Sequence, residues 1–443
     1  MKNVLAIVAL VILTAAVPAA EQTLVDPPTP AEAEAFVAAA EEEILQLWIR
    51  KERAAWVQEN FITGDTEIIA SQAYERLMAR TAALAKDATR FAGLDLPYDV
   101  ARKLQMIKLS LPLAAPGDPA LQSELAGIAA SLTSMSSTGK VCPDGEEGEC
   151  RTLGDLSRTM ASSRDAEELQ EAWTGWRTIS PAMRTKYARF AELGNAGAAE
   201  LGMADLGAMW RSMYDMPPEE FAAELDRLWA QVRPLYEALH CHVRAELAEQ
   251  YGSELVQPGE PIPAHLLGNM WAQSWLNIYD LVMTPEDAGA DVDVTRILKD
   301  KGVTEIDMVR YGEGFFTSLG FKPLPATFWE RSLFTKPADR EVVCHASAWD
   351  IDWVDDLRIK MCIEINEEDF TTVHHELGHN FYQRAYAIQD TLYRNSAHDG
   401  FHEGIGDTVA LSITPEYLVK VGLLEELPEE TGDLGRLMRL ALE

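Results

Sequence analysis

His375-Glu376-Leu377-Gly378-His379 is an HExxH pattern. Residues four apart on a helix share a face, so His375 and His379 can reach one metal ion. Glu376 then points toward the open coordination position and is the candidate general base. A hydrolytic zinc needs a third protein ligand and one position left for water. Glu403, in His402-Glu403-Gly404-Ile405-Gly406-Asp407, is the candidate for that ligand, on a second helix. Asp407 shares a face with Glu403 and is placed to accept a hydrogen bond from the far nitrogen of a ligand imidazole. His374 points about 100° away from His375 and reads as a packing or supporting residue. Hydrogen-bonding roles are expected of His398 and His402, structural ones of His240, His242 and His265. Zinc in such a site activates water and polarises a carbonyl, while Glu376 moves the proton to the leaving amine. Two neutral imidazoles and one carboxylate leave the site net positive by about one charge, suited to a developing oxyanion.

The elements that must position these groups are mostly helices. Asn366 caps the motif helix, and Glu367, Glu368 and Asp369 complement its dipole in the first turn. Thr29-Pro30-Ala31-Glu32 is a capping box with Pro at the first helical position, opening a long amphipathic helix to Phe61. Further helices fit residues 67–90, 98–112, 118–134, 164–176, 181–201, 217–252 and 263–284. Two strands fit Glu341–Ala348 and Arg358–Ile365, able to pair antiparallel across the acidic turn Asp350–Asp356. The expected class is mainly α: a large helical unit with a small antiparallel sheet beside the HExxH helix. Residues 432–443 read as the start of another helix.

Composition sets further limits. The chain has 443 residues, 47% of them hydrophobic, enough for a large core. With 71 acidic and 38 basic side chains its net charge is −33, which argues against nucleic acid or anionic membrane as partners. Lys2, the apolar run Val4–Val17 and the small residues near Ala19 and Ala20 read as a signal peptide over residues 1–20, leaving 21–443 as the mature helical unit. That run is too short for a stable membrane span, and a periplasmic or secreted location is expected. Export permits disulfides. Five cysteines do not fix a pairing by count. Cys142 and Cys150 bracket a short loop and Cys344 and Cys362 flank the expected hairpin, so these pairs are expected, with Cys241 free.

At these residues the sequence resembles the angiotensin-converting-enzyme family of zinc peptidyl-dipeptidases. The likeness extends to Gly259–Gln273, Phe315–Gly320, Val343–Asp350 and Phe401–Asp407. It runs from about residue 25 to the end. It implies a helical ellipsoid with a deep groove, lidded by N-terminal helices, that releases dipeptides from the C-termini of short peptides. By position it makes His375, His379 and Glu403 the ligands and Glu376 the base. It places His345 and Ala346 on a strand that binds the substrate backbone, as peptides pair to sheet edges. Gln273 would bind the substrate's C-terminal carboxylate; a carboxypeptidase relative has Arg there. Cys344–Cys362 and Cys142–Cys150 match family disulfides. Arg177 resembles a chloride ligand of the animal enzymes.

Family members usually continue well over a hundred residues further, through groups that bind the substrate carboxylate, the transition state and chloride. A polypeptide ending at Glu443 is therefore expected to be weakly active or inactive and to expose apolar surface. The alternatives to dipeptide release are a carboxypeptidase or oligopeptidase of the same zinc geometry, and a non-catalytic peptide-binding scaffold.

Overall fold

The computed structural model describes residues 27–109, 113–142, 150–283, 292–427 and 433–442. The segment expected to be a signal peptide lies outside them. The described chain is mainly helical, with two small two-stranded antiparallel sheets. None of its helices is long and apolar enough to cross a membrane.

The first helix, Pro30–Asn60, begins where its sequence says it should. The Thr29 side chain accepts the Glu32 N–H, and the Glu32 carboxylate accepts the Thr29 N–H. It packs along Gly64–Ala88, which has its own capping box at Thr63. Two aromatic contacts join the first helix to the hairpin beside the site. Trp48 stacks on Trp353 at 4.5 Å, and Trp56 meets Trp349 edge-on at 5.5 Å.

The HExxH motif lies on the helix Glu367–Tyr386, capped by Asn366, whose Oδ1 accepts the Asp369 N–H at 2.7 Å. Phe370, Val373, Leu377 and Phe381 recur at helical spacing and are all buried in one apolar cluster. That cluster includes Met308, Val309 and Phe316 from the helix Glu305–Ser318 and Leu357 and Ile359 from the hairpin. Phe316 stacks on Phe381 at 4.1 Å. Burying each such side chain contributes roughly 1.5–3 kcal/mol, so this face holds the helix while the opposite face is left for chemistry.

The hairpin strands are Ser347–Asp350 and Leu357–Lys360, paired antiparallel with Ser347 opposite Lys360 and Asp350 opposite Leu357. They are shorter than the sequence suggests because both flanks bond elsewhere. Val343 N–H donates to Glu59 O on one side, while Met361 and Ile363 N–H donate to Leu333 and Phe334 O on the other. His345 and Ala346 therefore precede the strand instead of lying on it. Both expected disulfides are present, and Cys241 is a free, exposed thiol. Cys142–Cys150 closes a second small hairpin, Lys140–Val141 with Arg151–Thr152.

The helix expected over residues 263–284 is not formed. Its described part holds two 3-10 turns, Ala264–Leu266 and Leu276–Ile278, and the short helix Tyr279–Val282. Gly268 and Ala272 have φ of 76° and 53°, which no right-handed helix accommodates. Asn277 Nδ2 donates to Gly268 O at 3.1 Å and fixes the turn. The long helix Pro218–Tyr251 forms as expected, and its Leu225, Leu228, Trp229, Val232 and Leu235 are exposed.

Phe381→Ala removes the ring that seats the motif helix on its core. It is expected to cost about 3–5 kcal/mol, read from denaturant unfolding. A loss below about 1 kcal/mol would show that this face does not anchor the helix.

Candidate active site

Two helices build the site. The motif helix crosses Asp399–Ala410, which His398 caps by accepting the Phe401 N–H at its Nδ1, 3.0 Å away. Two glycines permit the approach. A Cβ on Gly378 would lie 3.1 Å from Gly406 Cα, and a Cβ on Gly406 would lie 2.7 Å from the His375 ring. With no side chain between them, the helices bring His375 and His379 against Glu403. Glu403 Oε2 is 3.3 Å from His375 Nε2, and its Oε1 is 3.7 Å from His379 Nε2. Donor atoms of His375, Glu376 and His379 all lie within 4.8 Å of one another.

The far nitrogens of both imidazoles are engaged. His375 Nδ1 is 3.1 Å from Asp407 Oδ1, so the N–H on that nitrogen donates to the carboxylate and Nε2 is left as a lone-pair donor. His379 Nδ1 is 2.6 Å from His402 Nδ1. One of these two nitrogens donates and the other accepts. The tautomer with the proton on His379 Nδ1 leaves its Nε2 free toward Glu403. His402 Nε2 in turn faces the Tyr386 hydroxyl at 3.5 Å. Burial pulls the pKa values of His379 and His402 down to about 4; His375 further disfavours charge on His379, and His379 further disfavours it on His402, where Glu403 opposes the fall. Both rings are therefore neutral at neutral pH, the form a metal requires. Two imidazole Nε2 atoms and one carboxylate form the donor set of a hydrolytic zinc site, so the residues present fit that ion.

Glu376 is 7% exposed. Burial pushes its carboxyl up to about 7 and neighbouring Glu403 adds to the rise; the Lys360 ammonium and the Ala348 N–H, which donates to Glu376, oppose it. A carboxyl poised near neutrality both takes and returns a proton easily.

The remaining sequence candidates are spread around this centre. His345 is exposed at a bend, its Nδ1 donating to Ala346 O at 2.8 Å. Gln273 is exposed on the irregular segment that replaces the expected helix. The Arg177 guanidinium lies 3.9 Å from the Trp173 ring centroid and donates to Met270 O at 2.6 Å. His374 is wholly buried: its Nδ1–H donates to Phe370 O, and its Nε2 accepts from the Tyr417 hydroxyl, both at 2.8 Å. Sequence reasoning missed three contributors. Gly406 stood inside the His402–Asp407 block without a role being read for it, Tyr386 carried no motif signal, and Lys360 reads in sequence as an ordinary strand cation.

Fold and site together define a mainly α-helical protein in which the two histidines of an HExxH helix face a glutamate from the next helix, residue types that suit a divalent metal. A sequence model of the family described as angiotensin-converting enzyme matches residues 27–443. The angiotensin-converting enzyme of Sus scrofa is 43% identical over 330 residues, 73% of this chain and 25% of the relative's own length. That of Bos taurus is 38% identical over 425 residues, 93% of this chain and 32% of the relative. That of Theromyzon tessulatum is 42% identical over 325 residues, 72% of this chain and 52% of the relative. The chain belongs to the angiotensin-converting-enzyme family, and the matched stretch spans between a quarter and about half of these relatives.

Gly406→Ala drives a methyl group into the His375 ring. It is expected to weaken zinc affinity about 10–100-fold, measured by competition with a chromogenic chelator; wild-type affinity would contradict the close-approach account. His374 offers a pH test. Burial lowers its pKa to about 4 from the ordinary 6.5, so between those values the unfolded chain binds a proton that the folded one refuses. Stability should therefore fall as pH drops from about 6.5 to about 4. His379 and His402 contribute in the same direction, so His374→Phe should reduce that slope in urea titrations, and an unaltered slope would show that this histidine is not a source of it.

Proposed function

We propose that the chain carries the zinc centre of a peptidyl-dipeptidase that removes dipeptides from the C-termini of short peptides, outside the cytoplasm. The observation that carries this reading is the convergence of His375 Nε2, His379 Nε2 and Glu403 beside a buried glutamate at about pKa 7. His375, His379 and Glu403 would hold the zinc, which supplies Lewis acidity for a water and for the scissile carbonyl. Glu376 accepts the proton of the attacking water at its carboxylate and delivers it to the departing amine nitrogen. Asp407 and His402 keep the ligand imidazoles in the tautomers that free Nε2. His345 and Ala346, in the segment just before the strand Ser347–Asp350, orient the peptide backbone, and Gln273 receives the terminal carboxylate. Two disulfides suit a periplasmic or secreted protein. Arg177 pairs with no carboxylate among the described residues, so its charge remains for a chloride ion beside Trp173.

The test is mass spectrometry of a short peptide incubated with folded, zinc-loaded protein, with and without a chelator. Chelator-sensitive loss of a C-terminal dipeptide, at a low rate, is expected. Single amino acids would make it a carboxypeptidase and internal fragments an oligopeptidase. Bound but intact peptide would make it a binding scaffold. Glu376→Gln should lower turnover by about 10²-fold or more while zinc and peptide remain bound. Undiminished turnover in that variant would remove Glu376 as the base.

A further inference from the structure

Among the described residues Lys360 is the least exposed lysine or arginine, at 1%, and apart from its charge opposing the rise of the Glu376 pKa it has been given no role above. Its Nζ donates to Val343 O and His345 O, both at 2.8 Å, and lies 3.3 Å from Glu59 Oε2. The ammonium's three N–H groups thus have three oxygen partners, from two separate parts of the chain. Burying a lysine is costly, and methionine would fill a similar volume. What methionine cannot do is hold backbone carbonyls.

The geometry shows what the holding achieves. Carbonyls two residues apart in a straight strand are about 6.6 Å apart. One nitrogen bonded to both Val343 O and His345 O keeps them within about 5.6 Å. The chain is accordingly bent at His345, immediately before the strand Ser347–Asp350. One edge of that strand pairs with Leu357–Lys360. Its other side meets the motif helix, where Ala348 N–H reaches Glu376 and Asn380 Nδ2 donates to Trp349 O at 3.4 Å. The bend therefore sets the direction in which His345 and Ala346 leave the strand beside the proposed base. The Cys344–Cys362 disulfide tethers this segment to the chain just past Lys360, but a tether between side chains leaves the orientation of the flanking carbonyls open.

We propose that Lys360 is a positioning residue that holds Val343–Ala346 in the bend that presents His345 and Ala346 to a peptide substrate beside Glu376. The proposal rests on the reading that this segment binds the substrate backbone. Lys360 touches neither the substrate nor the metal donors; it acts through the carbonyls of Val343 and His345.

The experiment measures the affinity of a short peptide, KM and kcat on zinc-loaded protein, alongside thermal melting. Lys360→Met is expected to raise Kd and KM about tenfold or more, with kcat, compared on the high-pH plateau where Glu376 is ionised in both proteins, changed less than about threefold. Lys360→Arg keeps the charge but spreads its donors over a planar fork, so one atom no longer bridges both carbonyls. It should fold and show a smaller rise in Kd and KM. Wild-type Kd and KM in either folded variant would overturn the proposal, as would a loss confined to kcat. If Lys360→Met does not fold, Lys360→Arg decides alone. A wild-type protein that binds no peptide would defeat the substrate reading and this proposal together. Wild-type binding matched by equal binding in the variants would remove the role of Lys360 alone.

Discussion

Everything at the site depends on how closely two helices can approach. Gly378 lies against Gly406 with no side chain between, and Gly406 leaves just enough room for the His375 ring. One methyl group at either position would push the helices apart. Glu403 would then recede from both imidazoles, and Asp407 from His375. The apolar face of the motif helix supplies the opposing constraint: Phe370, Val373, Leu377 and Phe381 fix it to the core, so the gap to the neighbouring helix is set by packing on both sides. A donor set preformed in this way spends little of the metal's binding energy on ordering ligands.

Burial then tunes the groups that packing has assembled. His379 and His402 stay neutral because the protein excludes water around them. The same exclusion lifts Glu376 toward neutrality, and Lys360 and the Ala348 N–H keep it from rising further. Desolvation thus acts in opposite directions on bases and acids, and both shifts suit the proposed chemistry. The chain carries a net charge of −33, yet the site is governed by neighbours within a few ångströms. At physiological salt, distant surface charges are largely screened.

Much of this was legible in the sequence. The caps at Thr29 and Asn366 are local hydrogen-bond patterns and read directly. The spacing of His375 and His379 follows from helix geometry, and Glu403 and Asp407 share a face by the same rule. The structure places those four side chains together. What was not legible depends on distant partners. The strands shorten because Glu59, Leu333 and Phe334 take the flanking backbone groups. The 263–284 segment breaks because the backbone turns at Gly268 and Ala272, and an apolar pattern does not record φ. Gly406 and Lys360 matter through what lies across from them, so their own neighbours in sequence give no warning.

The central claim is that His375, His379 and Glu403 form one metal donor set, with His402 behind it. X-ray absorption at the zinc edge of the metal-loaded protein tests this most directly. The account predicts nitrogen and oxygen neighbours at about 2.0–2.2 Å, with outer-shell scattering from two imidazoles and no sulfur. Scattering from three imidazoles would place His402 on the metal in place of Glu403. A sulfur neighbour, or failure of the folded protein to retain zinc, would contradict the account outright.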